Sequence, residues 1–394
     1  MDDIYIISGV RTAIGDFGGA LKGFKPADLG AQVAAEALTR AGIPAGDVGH
    51  VVFGQVMPTS ARDAYLARVI GLKAGVPQET PALTLNRLCG SGVEAIISAA
   101  RTMMLGEASI TLAGGAEVMS GVPFHDHASR WGQKMGNIAL EDALIMGLSD
   151  PIDEYHMGIT AENVAARHCI SREEMDAVAV TSHQRAAAAI ADGRFKDQIL
   201  PVEIKTRKGT VSFDTDEHPR ADTNVETLGA MRPAFRKDGV ITAGNASGIN
   251  DGAAAVVLAT GAEVARRGLK PLARIVAWGH AGVDPAYMGE GPIKAVPIAL
   301  QRAGLHLDHI DVIESNEAFA AQAAAVSKAL GFDPAKVNPN GSGVSLGHPV
   351  GATGVMLTIK AAYELARTGG RYGLITMCIG GGQGIALVIE RTEG

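Results

Sequence analysis

The sequence predicts an α/β fold present in two copies, with an unmatched stretch set between them. Three observations carry this. The segment Ala37-Leu-Thr-Arg-Ala-Gly-Ile43 returns as Ala299-Leu-Gln-Arg-Ala-Gly-Leu305, an offset of 262 residues (299 − 37). That same offset places Gly92 on Gly354, and each glycine opens an amphipathic helical stretch. Lastly, the 50 glycines of this 394-residue chain cluster beside apolar strand-like runs, where tight turns and close backbone approach are needed, and not in low-complexity tracts.

The elements follow in the same order in both copies. The repeated segment leads through an aspartate into a short apolar strand, Val51-Val-Phe53 in one copy and Val312-Ile313 in the other. The helical stretches carry apolar residues at Val93, Ile96, Ile97 and Ala100, and at Val355, Ile359 and Ala362. Each stops at a glycine, Gly106 or Gly369. An apolar strand then runs into Gly114-Gly115 or Gly380-Gly-Gly382. This pattern implies a duplication, with two α/β domains related by a pseudo-two-fold axis. We expect an N-terminal domain at 1–119 and 250–272, an inserted segment at 120–249 and a C-terminal domain at 273–394. The insert holds His125, His127, His156 and Met157-Gly-Ile-Thr-Ala-Glu-Asn163, then an alanine-rich helix over Ser171 to Ala191. Its polar tract Arg194–Lys237 has 9 basic against 7 acidic residues, suiting a solvated face or a contact for a phosphorylated ligand.

Composition narrows the function. A net charge of −7 (35 − 42) and few aromatics disfavour nucleic acid and anionic membranes as partners. No apolar run reaches the ~18 residues of a membrane span. Met1-Asp-Asp lacks the profile of a secretory or transit peptide, and Arg391-Thr-Glu-Gly is no peroxisomal address. Three cysteines without a Cys-x-x-Cys pair make neither a disulfide framework nor a zinc site, so a reducing cytoplasm is expected.

Chemistry concentrates in four places. Cys89 lies in Asn86-Arg-Leu-Cys-Gly-Ser-Gly92, at a turn from a strand (Pro81 to Asn86) into a helix. A helix N-terminus favours a thiolate, so a depressed pKa and a nucleophilic role are expected. By the offset Cys89 falls on Gly351, three residues from His348, so a pseudo-two-fold brings His348 into the same strand-end crevice as a base for the thiol. Cys378 meets Gly380-Gly-Gly382 at the end of the strand from Tyr372 and could act as an acid or base on carbon. The strand Asp311-Val-Ile313 leads into Glu314-Ser-Asn-Glu-Ala-Phe319, where Asn316 could orient a water, donate to an oxyanion or simply cap the following helix.

Together these stretches resemble the thiolase family, the biosynthetic acetyl-CoA acetyltransferases in particular. The likeness runs from Ser8-Gly-Val-Arg-Thr-Ala-Ile-Gly15 through Thr242-Ala-Gly-Asn-Ala-Ser-Gly-Ile-Asn-Asp-Gly252 to Gly347-His-Pro349 and Cys378-Ile-Gly-Gly-Gly382, essentially the whole chain. It is similar to the bacterial β-ketothiolases that feed polyhydroxyalkanoate synthesis. The resemblance implies a five-layered αβαβα core and a reversible Claisen condensation of two acyl-CoA molecules. Cys89 would be acylated with His348 as base, and Cys378 would take the α-proton of the second acetyl-CoA. His348 and a water on Asn316 would hold the enolate, and the N–H groups of Cys89 and Gly380 the tetrahedral oxygen. It further implies CoA contacts at Arg220, Phe235, Ala243 and Ser247, and an acyl pocket walled by His156, Met157, Met288 and Phe319. Coenzyme A thioesters would be substrates, with no cofactor or metal, in a cytoplasmic homotetramer built as a dimer of dimers. Where most members read Asn-x-x-Gly-Gly-Ala-x-Ala, this chain has Ser342 and Ser345, a departure that bears on pocket shape and acyl-chain preference.

Other readings fit less of the pattern. A β-ketoacyl synthase pairs its cysteine with two histidines, whereas Cys378 stands here as the second partner. A cysteine hydrolase has no use for Cys378, and a non-catalytic acyl-CoA carrier none for all four reactive positions. A metal hydrolase on His125 and His127 lacks further ligands.

Overall fold

The computed structural model describes residues 3–207 and 209–392. Met1, Asp2, Glu393 and Gly394, whose types entered the reading of the termini, lie outside these residues, as does Lys208, one of the cations of the polar tract.

The first half runs β1 (Ile4–Arg11), α1 (Pro26–Ala41), β2 (His50–Gly54), α2 (Leu66–Lys73), β3 (Ala82–Leu85), α3 (Ser91–Met104) and β4 (Ile110–Val118). The insert follows, with α4 (Met157–His168) and α5 (Arg172–Ala191) as its longest helices. The chain then returns to the first half as β5 (Asn250–Thr260). The second half repeats the order as β6 (Ala273–Gly282), α6 (Gly291–Ala303), β7 (Ile310–Ser315), α7 (Ala320–Leu330), α8 (Val350–Thr368), β8 (Tyr372–Ile379) and β9 (Gln383–Arg391).

Strand order confirms the duplication. The first half pairs as β1-β5-β4-β2-β3, the second as β6-β9-β8-β7, extended by a bridge from Ile313 to Val337 where the first half has β3. The two sheets meet through a short antiparallel contact of β1 with β6 (Ile4 to Ile275, Tyr5 to Arg274, Ile6 to Ala273), and with the two-residue strand Gly15–Asp16 paired to β5 they make one continuous 10-stranded sheet. The repeats thus pair their equivalent first strands across the pseudo-two-fold.

Five layers result. Helix α1 lies on β1, β4 and β5, and α6 on β6, β8 and β9, forming part of the two outer faces. Between the sheets lie α3 and α8, packed on each other, with α3 against β2 and β4 and α8 against β4, β5, β7 and β8. Being covered on both faces, β4 and β5 are buried along their whole length, which explains why they read as continuous runs of apolar and small residues.

The inner layer sets the geometry of everything above it. Gly92 and Gly354, the pair related by the offset, meet each other where α3 and α8 cross. A Cβ on Gly92 would lie 2.7 Å from the Val355 nitrogen, and one on Gly354 would lie 2.4 Å from the Val93 nitrogen. Only glycine lets the two backbones approach this closely. The crossing is near the N-terminal ends of both helices, so the turns that precede them, carrying Cys89 and His348, are brought together.

Gly354→Ala should therefore wedge the helices apart at a cost of ~1–3 kcal/mol and lower the urea midpoint. Gly46→Ala, where an added methyl meets nothing within 4 Å, should leave that midpoint unchanged.

Candidate active site

The turn before α3 is tightly wound. Leu88 adopts a left-handed backbone (φ 48°), a conformation that costs a non-glycine residue roughly 1–2 kcal/mol. The turn is held by Asn86, whose Oδ1 accepts the Leu88 N–H (2.8 Å), and by Ser91, whose hydroxyl accepts from Arg87 N (2.8 Å) and donates to the Leu88 carbonyl (2.7 Å). Arg87 and Arg101 both pair with Glu94 on α3, and His280 of β6 reaches the same carboxylate from the second half (2.6 Å). Cys89 is left half-buried at the head of the helix, with the N–H groups of Gly380 and of Cys89 itself directed at its sulfur.

The expected depression of the Cys89 pKa is not found. Burial pushes the thiol up, the two N–H groups oppose this only in part, and the charge on Glu117 adds to it. The helix N-terminus is outweighed by the loss of solvent. Cys378 is fully buried, and burial raises its thiol far above the ordinary range, with charge on Cys89 raising it further. Both thiols therefore rest protonated, and a base is needed to ionise either.

His348 has the properties of such a base. Asn250 of β5 accepts its backbone N–H through Oδ1 (2.9 Å), so a strand of the first half fixes the turn of the second. The imidazole is buried, which lowers its pKa to about 4 and keeps it neutral near pH 7. Its tautomer follows from the hydrogen bonds. Thr353 gives its only hydroxyl hydrogen to the Pro349 carbonyl (2.9 Å), so it can only accept from His348 Nδ1 (2.7 Å). Nδ1 then carries the proton, and Nε2 keeps a lone pair, towards which Asn316 Nδ2 points (3.3 Å). Asn316 Oδ1 is buried and has no protein partner among the described residues, a site suited to an ordered water.

These groups surround an apolar cavity of about 350 Å³. Cys89, His348 and Gly380 line it, as do the expected Phe235, Ala243, Ser247, His156, Met157, Met288 and Phe319. His156 caps α4 by accepting Gly158 N–H at Nδ1 (3.0 Å) and stacks on Phe235 (centroids 4.7 Å apart), which meets Phe319 edge-on. Asn316 and Cys378 lie just behind the wall, packed against its residues. Arg220 stands apart. Its guanidinium is half-exposed and engaged by Asp16 (2.9 Å) and by the carbonyls of Glu217 and His218.

Ser342 and Ser345 do not shape the cavity. Both are buried beneath the His348 turn, where Ser345 bonds Ser182 (2.8 Å), Ser182 donates to Glu317 (2.6 Å) and Ser342 donates to the Ser315 carbonyl (3.2 Å). Their effect on acyl preference, expected from proximity in sequence, has no direct route. Met119, Leu148, Ile249 and Val350 are among the further residues of the cavity wall that were not anticipated. Thr353 was also missed, although a hydroxyl in the first turn after a histidine is a readable signal. His125 and His127 are surface residues, and among the described residues no group of three or more His, Cys, Asp or Glu could hold a metal.

A duplicated α/β fold presenting a thiol and a neutral imidazole to one apolar cavity, with a second thiol behind its wall, is an arrangement for acyl transfer. Comparison with known proteins agrees. Residues 4–262 match the thiolase N-terminal domain and residues 269–391 the thiolase C-terminal domain. The chain is 60% identical over 390 residues to the beta-ketothiolase BktB of Cupriavidus necator (99% of each chain). It is 48% identical over 393 residues to an acetyl-CoA acetyltransferase of Pseudomonas aeruginosa (99% of this chain, 100% of the other). The crystal structure of human mitochondrial 3-ketoacyl-CoA thiolase superposes with a TM-score of 0.97 at 44% identity, covering 99% of each chain. That of the Bacillus anthracis acetyl-CoA acetyltransferase gives 0.97 at 46%, covering 100% of this chain and 99% of the other. The chain belongs to the thiolase family and is an acyltransferase.

The tautomer of His348 depends on Thr353. Thr353→Val removes the acceptor for Nδ1–H, frees the proton to move to Nε2 and should slow acylation by about 10-fold to 1,000-fold, as displaced tautomers do in acyl-transfer sites. Thr353→Ser should retain most of the rate. The burst of CoA release in a stopped-flow assay reads both.

Proposed function

We propose that this protein is an acetyl-CoA C-acetyltransferase of β-ketothiolase type, joining two acyl-CoA molecules reversibly into a 3-ketoacyl-CoA and free CoA. The observation that carries the reading is the pairing of a protonated Cys89 with a neutral His348 whose Nε2 lone pair is held ready. The Cys89 proton passes to Nε2 as the sulfur attacks the thioester carbonyl. The tetrahedral oxygen is held by the N–H groups of Cys89 and Gly380, donors of a kind worth ~3–4 kcal/mol each. Collapse expels CoA as a thiolate, which takes the proton of Cys378 and leaves as CoA-SH.

Cys378 is then a thiolate in apolar surroundings and strongly basic, as removal of an α-proton requires. It takes the α-proton of the second acetyl-CoA. The enolate oxygen is held by protonated His348 and a water on Asn316. Attack of the enolate carbon on the acyl thioester releases the Cys89 thiolate, and His348 returns its proton. Each group ends as it began, and no cofactor enters.

Coenzyme A would reach the cavity over the insert, along Ala243, Ser247 and Phe235, with Arg220 released from Asp16 to meet its phosphates. Methionines at Met119, Met157 and Met288 give the acyl pocket pliable walls that support acceptance of propionyl as well as acetyl groups. The relative named as a beta-ketothiolase supports a role in supplying 3-ketoacyl-CoA to polyhydroxyalkanoate synthesis. Three free thiols and the absence, among described helices, of one long and apolar enough to span a membrane favour a cytoplasmic protein. A homotetramer is supported by Phe124, Trp131, Met135, Ile138 and Leu140, large apolar side chains exposed on one stretch of the insert.

The test is peptide mass mapping after incubation with acetyl- or propionyl-CoA. The acyl group should sit on Cys89. Cys378→Ser should still acylate Cys89, more slowly, yet neither condense nor exchange α-protons of acetyl-CoA with deuterated water. Label on Cys169 or Cys378 with Cys89 unmodified would overturn the mechanism.

A further inference from the structure

Among the buried carboxylates that the mechanism does not use, one stands between the two turns of the site. Glu117 lies on β4, is fully buried and makes no ion pair among the described residues. Its oxygens instead accept three backbone N–H groups, from Val56 (2.9 Å), Met57 (3.1 Å) and Gly351 (2.8 Å). Val56 and Met57 follow β2 in the first half, whereas Gly351 is in the first turn of α8 in the second. The carboxylate thus joins the two halves directly beneath the cavity.

The packing around it is close. A Cβ on Gly351 would lie 2.7 Å from Glu117 Oε2. On the same face of β4, two residues earlier, a Cβ on Gly115 would lie 2.1 Å from the Gly351 carbonyl. Gly115 admits the start of α8 and Glu117 grips it.

From this grip a short path leads to each reacting group. The Val56 carbonyl accepts from Asn86 Nδ2 (3.2 Å), and Asn86 Oδ1 fixes Leu88, the strained residue before Cys89. On the other side Gly351 lies in the turn of Pro349 and Thr353, the two residues that set the His348 ring. An electrostatic role would have the wrong sign, because charge on Glu117 opposes ionisation of Cys89. Asp63 also faces Glu117 and carries the same sign.

We infer that Glu117 is a positioning residue for acyl transfer, one carboxylate that sets the spacing of the Cys89 turn from the His348 turn by holding the backbone beside both. This rests on the roles proposed for Cys89 and His348. Glutamine in its place keeps the shape but turns an N–H donor towards at least one of the three backbone donors.

The experiment is single-turnover acylation by acetoacetyl-CoA, with calorimetric affinity for CoA measured alongside. Glu117→Gln should acylate Cys89 on the order of 10-fold to 100-fold more slowly, as small misplacements of reacting groups do, with CoA affinity within about twofold of wild type. Glu117→Asp should not restore the rate, being too short to reach both turns. Asn86→Ala alters an exposed side chain and cuts only the branch to Cys89, so it keeps the test open if Glu117→Gln does not fold. It should slow acylation by about 10-fold with CoA affinity retained, and adding it to Glu117→Gln should cost nothing more. An unchanged rate in either single variant, losses that multiply in the double, or equal losses of rate and CoA affinity would overturn the inference. Wild-type enzyme that carries no acyl group on Cys89 would instead overturn the mechanism on which it rests.

Discussion

Everything in this molecule depends on how closely α3 and α8 cross. Two glycines facing each other bring the backbones to a separation that side chains would forbid, and they do so near the N-terminal end of each helix. The turns in front of those helices therefore converge, although one belongs to each half of a duplicated chain. Cys89 on one copy and His348 on the other come to line one cavity although they lie far apart in sequence. Neither repeat could form this site alone, which is why the sheets, the crossover contact of β1 with β6 and the buried carboxylate between the halves all bear on the chemistry.

The same convergence buries the reacting groups, and burial decides their resting state. Desolvation raises both thiols and lowers the imidazole, so each group sits in its neutral form. A resting thiolate–imidazolium pair would have to be held in surroundings that disfavour both charges. Neutral partners avoid that cost, and in the proposed mechanism the proton moves only when a carbonyl is present to receive the sulfur's electrons. The orientation of that proton transfer is fixed by one hydroxyl, Thr353, whose single hydrogen is already committed to Pro349.

Much of this was legible in the sequence because a repeat reveals geometry that single motifs do not. The offset that aligned Gly92 with Gly354 named the residues that touch, and aligning Cys89 near His348 named the pair that would converge. What failed to show was everything governed by burial depth. The turn of Cys89 reads as a helix N-terminus and hence as a site for a stable thiolate, but no pattern of residues reveals how little water remains there. Ser342 and Ser345 read as neighbours of the pocket because they are neighbours of His348, yet the chain turns them underneath, towards Ser182 and Glu317. Arg220 is placed beside CoA by resemblance alone, and its engagement by Asp16, distant in sequence, is nothing a local pattern could show. Glu117 belongs to no pattern that stands out, since a lone carboxylate gains meaning only from what it reaches.

The two cysteines illustrate why such coupling favours an ordered reaction. Each disfavours charge on the other, since the ionisation of Cys378 is opposed by charge on Cys89. While Cys89 is free, a strongly basic Cys378 thiolate is suppressed, and acetyl-CoA in the cavity keeps its α-protons. In the proposed mechanism Cys378 gives up its proton only to the departing CoA thiolate, so the step that makes the base also leaves in the cavity the electrophile that a carbanion must meet. The base is thereby enabled only once its product has somewhere to go, and an enolate does not form in the absence of its acceptor. A pair of buried thiols, each unfavourable to ionise by itself, thus sequences two chemical steps with no moving part.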